Sequence, residues 1–112
     1  MDISGKATML RIYIGEDDHP DGTPLYNAIV LKLREAGIAG ATVIRGIEGY
    51  GASSRVHTAS ILRLSQDLPI TIEVIDKPDR VAAILPAIEE MISGGLITTE
   101  EIEVVKYSTG SK

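Results

Sequence analysis

The sequence predicts an α+β fold of the ferredoxin-like type, a βαββαβ sandwich in which an antiparallel sheet carries two helices on one face. Three observations predict it. Several short runs alternate apolar and polar residues with period two, as strands with one buried face do. Two longer segments repeat apolar residues at helical spacing. These runs follow in the order strand, helix, strand, strand, helix, strand, which is the split βαβ arrangement.

Length and composition favour one domain. The chain has 112 residues, of which 44% are hydrophobic, with no Phe and no Trp. A chain of this length buries roughly two thirds of its unfolded surface, and a core made of Ile, Leu and Val favours a sheet packed against helices. We expect a single domain over residues 1–112, with an ordered core at about residues 7–107 and short flexible termini.

Charge and cysteine content exclude several classes of function. The formal net charge of -5 argues against general nucleic-acid binding, which draws most of its affinity from Lys and Arg on phosphates. The absence of cysteine excludes disulfides and thiolate metal sites. No segment approaches the roughly 20 apolar residues of a membrane span, and the first residues contain no long apolar run. We therefore expect a cytoplasmic protein.

The first strand and the first helix have clear signals. Over residues 9–14, the aliphatic residues Leu10, Ile12 and Ile14 alternate with Met, Arg and Tyr. This alternation predicts a strand with one buried face. Thr23 is the predicted N-cap of the helix, Pro24 its first residue and Gly37 its stop. The apolar stripe of this helix comprises Leu25, Ala28, Ile29, Leu33 and Ala36.

The middle of the chain predicts further strands. Residues 41–51 form the second strand, residues 60–65 the third, and the alternation of Ile70, Ile72 and Val74 continues it after a turn at residues 67–69. We expect residues 60–75 to behave as one long, bent strand.

The second helix begins at Pro78 and ends at Gly94 and Gly95. Its interior Pro86 loses a hydrogen bond and is expected to kink the helix toward solvent, at a cost of about 3 kcal/mol in an unadapted helix. A last strand covers residues 102–107. The apolar stripe of the helix comprises Val81, Ile84, Leu85, Ile88, Met91 and Ile92. Because both helices cover one face of the sheet, we expect self-association to cover the other.

The segment 45–51, Arg-Gly-Ile-Glu-Gly-Tyr-Gly, is the most informative motif. Its glycines follow the order G-x-x-G-x-G, not the dinucleotide-binding G-x-G-x-x-G, and no helical pattern follows. Both the Rossmann and the P-loop interpretations are therefore excluded. A strand that ends in a glycine-rich tip and returns as a second strand is a common place for binding.

Several groups near this tip suit an anion or a nucleotide. Arg45 and Arg55 offer rigid forks of donors for phosphate, His57 lies nearby, and Tyr50 can stack on a base. Backbone N–H groups at the glycines add neutral donors. The alternative is that the charges are solvated, the glycines only permit tight turns, and Tyr50 packs against a neighbouring subunit. The candidate binding residues are Arg45, Gly46, Gly49, Tyr50, Gly51, Arg55, His57, Gly94 and Gly95.

Metal and catalytic sites have weaker signals. Residues 17–22 imitate the start of a calcium loop, but Ala28 stands at the twelfth position, where a bidentate Glu is required. His19 and His57 are the only histidines and lie far apart in sequence, so a zinc site would need carboxylate ligands or symmetry-related copies at an oligomer axis. Ser53 and Ser54 have no G-x-S-x-G elbow. We therefore expect no metal site and no catalytic residues.

Taken together, the motifs resemble the PII-like signalling proteins, most closely their domain-of-unknown-function 190 branch. The resemblance spans nearly the whole chain. It rests on residues 45–51, on His57-Thr58, on residues 67–70 and on residues 72–74. Gly49-Tyr50-Gly51 is similar to the G-F-G at the base of the PII signalling loop, and residues 93–96 are similar to its T-G-K-I.

The resemblance implies a homotrimer that binds small effectors, typically the adenine nucleotides AMP, ADP, ATP or cyclic AMP, in clefts between subunits. Residues 49–59 would then signal to a partner, for which the resemblance suggests a membrane transport protein or channel. Gly95 stands at the position of the PII phosphate-binding lysine, and no arginine-rich tail precedes Lys112. A less charged nucleotide or another anion therefore stays open as the effector. The alternative is a small enzyme or a structural trimer on the same fold.

Overall fold

The computed structural model describes residues 3–16, 22–49, 57–58 and 68–110, with residues 57–58 described for the backbone only. The elements in chain order are β1 Gly5–Gly15, α1 Leu25–Glu35, β2 Ala41–Arg45, β3 Glu48–Gly49, β4 His57–Thr58, β5 Pro69–Asp76, α2 Pro78–Met91 and β6 Leu96–Val104.

Within the described ranges, the main sheet has four strands in the order β2-β5-β1-β6, and every neighbouring pair is antiparallel. The two central strands, β5 and β1, lie between the edge strands β2 and β6. This topology confirms the predicted ferredoxin-like fold. The short strands β3 and β4 pair only with each other, as a separate two-stranded ribbon.

The core lies between the sheet and the two helices. Alternate residues of β1 and β5 meet the predicted apolar stripes of α1 and α2, and complete burial of each such side chain contributes about 1.5–3 kcal/mol. Ala36, predicted to belong to the first stripe, is exposed because α1 ends at Glu35. The buried cluster comprises Leu10, Ile12, Ile14, Leu25, Ile29, Leu33, Ile70, Ile72, Val74, Val81, Ile84 and Ile88.

The start of α1 differs from the prediction. Pro24, with ψ 130°, is the N-cap, no side-chain cap hydrogen bond is made, and the helix begins at Leu25. The prediction that Thr23 caps a helix beginning at Pro24 was therefore wrong by one residue. The predicted stop is confirmed: Gly37 has a φ of 80°, in the left-handed region that glycine adopts without strain.

The second helix begins at Pro78 as predicted and continues past Pro86 to Met91. It ends before the predicted stop at Gly94 and Gly95. Pro86 donates no hydrogen bond to the carbonyl of Ala82, but both residues are exposed, so that water can satisfy this carbonyl.

Three strand boundaries are corrected. The predicted strand 41–51 is broken, because β2 ends at Arg45 and β3 pairs with β4 instead of the main sheet. Pro69, predicted to lie in a turn, is the first residue of β5 and pairs with Gly15. The last strand begins at Leu96 rather than at 102 and ends at Val104, because β1 offers a partner along that whole length. The predicted strand 60–65 lies outside the described residues.

The buried carboxylate of Asp76 links the segment after α1 to the start of α2. Asp76 is fully buried at the end of β5 and accepts hydrogen bonds from Ala39 N at 2.9 Å, Lys77 N at 2.7 Å and Arg80 Nε at 3.2 Å. Arg80 also donates to the carbonyl of Gly37. This network holds the turn after α1 against the first turn of α2.

On the sheet face opposite the helices, two rows of side chains span all four strands. One row runs Thr42, Glu73, Arg11, Thr98 across the four strands, and the next runs Ile44, Thr71, Tyr13, Leu96. Arg11 pairs with Glu73 at 3.2 Å and with Glu100 at 3.4 Å, and the hydrogen bond with Glu73 raises the pKa of Arg11. Ile44 and Leu96 are 45% and 56% exposed. The chain thus leaves an apolar row on this open face.

None of the helices in the described ranges is long and apolar enough to cross a membrane.

Candidate functional site

The candidate site lies at one end of the main sheet. The antiparallel register brings the last residues of β1 and β2 to the same end as the first residues of β5 and β6: Gly15 pairs with Pro69, Arg45 with Ile70 and Tyr13 with Leu96. The glycine-rich segment therefore begins at the sheet end that also holds the turn between α2 and β6. In the described residues, β2 is followed by the short strand β3, so no helix directly follows β2.

The two halves of the predicted site lie at opposite edges of this end. Arg45 ends the edge strand β2, and Gly95 precedes the other edge strand, β6, with β5 and β1 between them. Three strand spacings separate the edges by about 14 Å. Within one chain, Arg45 and Gly95 are therefore not neighbours.

Arg45 has a carboxylate partner that the sequence did not indicate. Its Nη2 lies 2.7 Å from Oε2 of Glu16, and the two side chains are 59% and 21% exposed. Glu16 directly follows β1, and its N–H donates to the carbonyl of Leu68 at 2.8 Å, which holds it at the sheet end. Sequence analysis did not identify this contact, because nothing in the order of residues links Glu16 to Arg45.

The two carboxylate oxygens of Glu16 have different surroundings. Oε1 is buried and accepts no hydrogen bond among the described residues. Buried charged acceptors without a partner are costly, so most of them are satisfied in native proteins. Glu16 and Arg45 together therefore place an acceptor that no described residue uses beside a guanidinium that has further N–H donors.

Gly46 and Gly49 of the motif have packing roles. The N–H of Gly46 donates to the carbonyl of Pro69 at 2.7 Å, and a Cβ on Gly46 would lie 2.7 Å from Pro69 Cγ. A Cβ on Gly49 would lie 3.2 Å from the same atom. Gly46 therefore has no spare backbone donor for a ligand, and the structure favours the alternative of a conformational role for it.

The glycines after α2 differ from each other. A Cβ on Gly95 would lie 2.7 Å from the carbonyl oxygen of Tyr13, whereas a Cβ on Gly94 would meet open space. Gly95 is therefore needed for the close approach of this turn to β1. Gly94 is exposed and sterically open to a ligand.

The other predicted site residues cannot be placed in the same way. Tyr50, Gly51 and Arg55 lie outside the described residues, as do residues 17–21 and 53–54. His57 is described only as backbone of β4, paired with Gly49. Among the described residues, no group of three His, Cys, Asp or Glu is arranged to hold a metal ion.

The fold is similar to that of PII-like proteins. The solved structure of CPII, a nitrogen regulatory PII-like protein from Thiomonas intermedia K12 bound to ADP, AMP and bicarbonate, is similar with a TM-score of 0.64 at 17% identity. The likeness covers 88% of this chain and 94% of CPII. A structure of CPII bound to ADP and bicarbonate matches with a TM-score of 0.64 at 18% identity, over 90% of each chain. At these identities the likeness shows the fold.

The chain belongs to the DUF190 family, described as uncharacterized ACR, COG1993, which it matches over residues 7–104. A UPF0166 protein of Methanocaldococcus jannaschii is 40% identical over 105 residues, which are 93% of this chain and 96% of the relative. A UPF0166 protein of Aquifex aeolicus is 35% identical over 100 residues, 89% of this chain and 94% of the relative. The predicted membership is thereby confirmed.

Proposed function

We propose that the protein is a single-domain, PII-like regulatory protein that binds a small anionic effector without turning it over. The effector class is an adenine nucleotide, AMP, ADP, ATP or cyclic AMP, or a smaller anion. The observation that carries this proposal is the PII-like fold, which CPII shares in structures bound to ADP, AMP and bicarbonate, together with Arg45 at the base of the glycine-rich tip.

The position of Arg45 supports an anion site. Its side chain is 59% exposed, and its contact with Glu16 uses Nη2 only. A guanidinium has five N–H donors in a planar fork, so the remaining donors suit a phosphate or carboxylate oxygen. Charge-assisted bonds of this kind are about twice as strong as neutral ones.

The open face of the sheet supports a homotrimer. It presents the exposed Ile44 and Leu96 on either side of Tyr13, next to the charged row of Arg11 and Glu73. Burial of this apolar row against other copies would remove it from water. We propose clefts between subunits as the effector sites, since one chain alone holds Arg45 and Gly94 at opposite edges of its sheet.

The signalling element we propose is the segment 49–59, whose first residue, Gly49, ends the short strand β3 that follows Arg45 in the chain. Its protein partner, on the resemblance to PII-like proteins, is a membrane transport protein or channel. An effector that contacts the segment in only one of its arrangements would shift its population toward that arrangement.

Calorimetric titration of ADP and of AMP tests the anion site. We expect saturable binding to the wild type and a loss of affinity of about tenfold or more in Arg45→Ala, since a hydrogen bond to a charged group contributes about 1.5–3 kcal/mol. Arg34→Ala is the matched control, because Arg34 is an exposed arginine on α1. Equal affinities for all three proteins would remove Arg45 from the site.

A further inference from the structure

The two carboxylate oxygens of Glu16 differ in their hydrogen-bond partners. Oε2 contacts Arg45 at 2.7 Å, whereas Oε1 is buried and has no partner among the described residues. The carboxylate is an acceptor only, so Oε1 can be satisfied only by a group that donates. The guanidinium of Arg45 attracts an anion, and Oε1 of the adjacent Glu16 requires a hydrogen-bond donor.

An anion that binds Arg45 must share the guanidinium with this carboxylate. If the anion has no proton to donate, its oxygens face the oxygens of Glu16, and the two negative charges repel each other at short range. If the anion carries an O–H group, the same approach forms an O–H···O hydrogen bond to a charged acceptor, which is a short and strong one.

Access to the acceptor does not require the backbone to move. The Glu16 side chain is 21% exposed, and the last torsion of a Glu side chain is broad, so that a partial rotation of the carboxylate turns Oε1 toward the exposed part of the side chain. The N–H of Glu16 stays bound to Leu68 during such a rotation.

We propose that Glu16 is a specificity-determining residue of the Arg45 site and selects oxyanions that carry their own O–H donor. Hydrogen phosphate and bicarbonate belong to this class, and a nucleotide meets the requirement with a ribose hydroxyl. Sulfate and nitrate have similar shapes but no proton at neutral pH, and the site excludes them. This inference rests on the proposed anion-binding function and deepens it.

The test compares anions of matched shape by calorimetric titration at constant pH and ionic strength. Phosphate is compared with sulfate, and bicarbonate with nitrate, on the wild type, Glu16→Gln and Glu48→Gln. The wild type should prefer phosphate over sulfate at least tenfold. In Glu16→Gln the ratio should fall to near one, because the amide N–H₂ donates to sulfate as well. Glu48 is an exposed carboxylate on β3, so Glu48→Gln should keep the wild-type ratio.

The outcomes separate this inference from the proposed function. Equal binding of phosphate and sulfate by the wild type, with ADP binding that still depends on Arg45, would overturn the role of Glu16 alone. An unchanged preference in Glu16→Gln, with the variant's thermal unfolding like that of the wild type, would do the same. Binding of ADP without binding of any small oxyanion would also reject it. No binding of ADP, AMP or any oxyanion would contradict the proposed function itself.

Discussion

Gly46 lies against Pro69 with no room for a side chain between them. Its N–H donates to the Pro69 carbonyl at 2.7 Å, and a Cβ would stand 2.7 Å from Pro69 Cγ. This contact joins the end of β2 to the start of β5 and thereby sets the position of Arg45 beside Glu16. Gly46 thus influences the geometry of the candidate site through packing.

Substitution of Gly46 tests this packing. Gly46→Ala should lower the free energy of unfolding by about 1–3 kcal/mol, because the proline ring has little freedom to move away. Chemical denaturation measures the change. Gly40→Ala is the control, since a Cβ there meets nothing within 4 Å, and it should stay within about 0.5 kcal/mol of the wild type. Equal stability of both variants would show that β2 and Pro69 separate readily.

Removal of the buried carboxylate tests the network at the helix ends. Asp76→Ala leaves the N–H groups of Ala39 and Lys77 and the partly buried Arg80 without their acceptor. We expect a loss of about 3 kcal/mol in the free energy of unfolding. Asp79→Ala, at an exposed position in the first turn of α2, should cost less than about 1 kcal/mol. If urea denaturation gives the two variants similar free energies of unfolding, Asp76 contributes little to stability.

A charge in the helix stripe tests the core. Ile88 is fully buried, so Ile88→Asp should abolish cooperative unfolding, because an unpaired buried carboxylate costs several kcal/mol of a total stability of about 5–15 kcal/mol. Circular dichroism during thermal unfolding measures this. Ala83→Asp places the same charge at an exposed position of α2 and should unfold cooperatively. A cooperative transition in Ile88→Asp would contradict the placement of α2.

Charges on the open face test the homotrimer. Leu96→Glu should shift the sedimentation-equilibrium mass from three chains toward one, because the carboxylate would be buried between subunits. Leu31→Glu makes the same exchange at a leucine of α1 with similar exposure, 54% against 56%, and should keep the wild-type mass. A wild-type protein that sediments as one chain at all concentrations would contradict the trimer directly.

The sequence predicted the fold because its helices carry clear periodic signals. Val81, Ile84 and Ile88 stand at helical spacing and are all buried, and the alternation in β1 and β5 marks the face that receives them. The first residues of β6 were missed because Leu96 follows two glycines and several polar residues come next. Pairing with β1, which local sequence does not express, decides that boundary.

The candidate site was predicted only in part. The motif led to Arg45 through the chemistry of its side chain, and the structure places it at the base of the tip. Its pairing with Glu16 depends on the sheet register, which brings together residues that are distant in sequence. The hydrogen bond from the Gly46 N–H to the Pro69 carbonyl is likewise a tertiary contact. Neither of these two contacts can be predicted from the local sequence.

Thermal unfolding in the presence of candidate effectors tests the central claim most directly. Wild-type protein is heated alone and with ATP, ADP, AMP, cyclic AMP or bicarbonate, each with and without magnesium. A ligand at about 100 times its dissociation constant should add roughly 2.7 kcal/mol per site. The proposed effector function predicts a selective upward shift in the midpoint with at least one of these ligands, and the shift should be reduced in Arg45→Ala. No shift with any of them would contradict it.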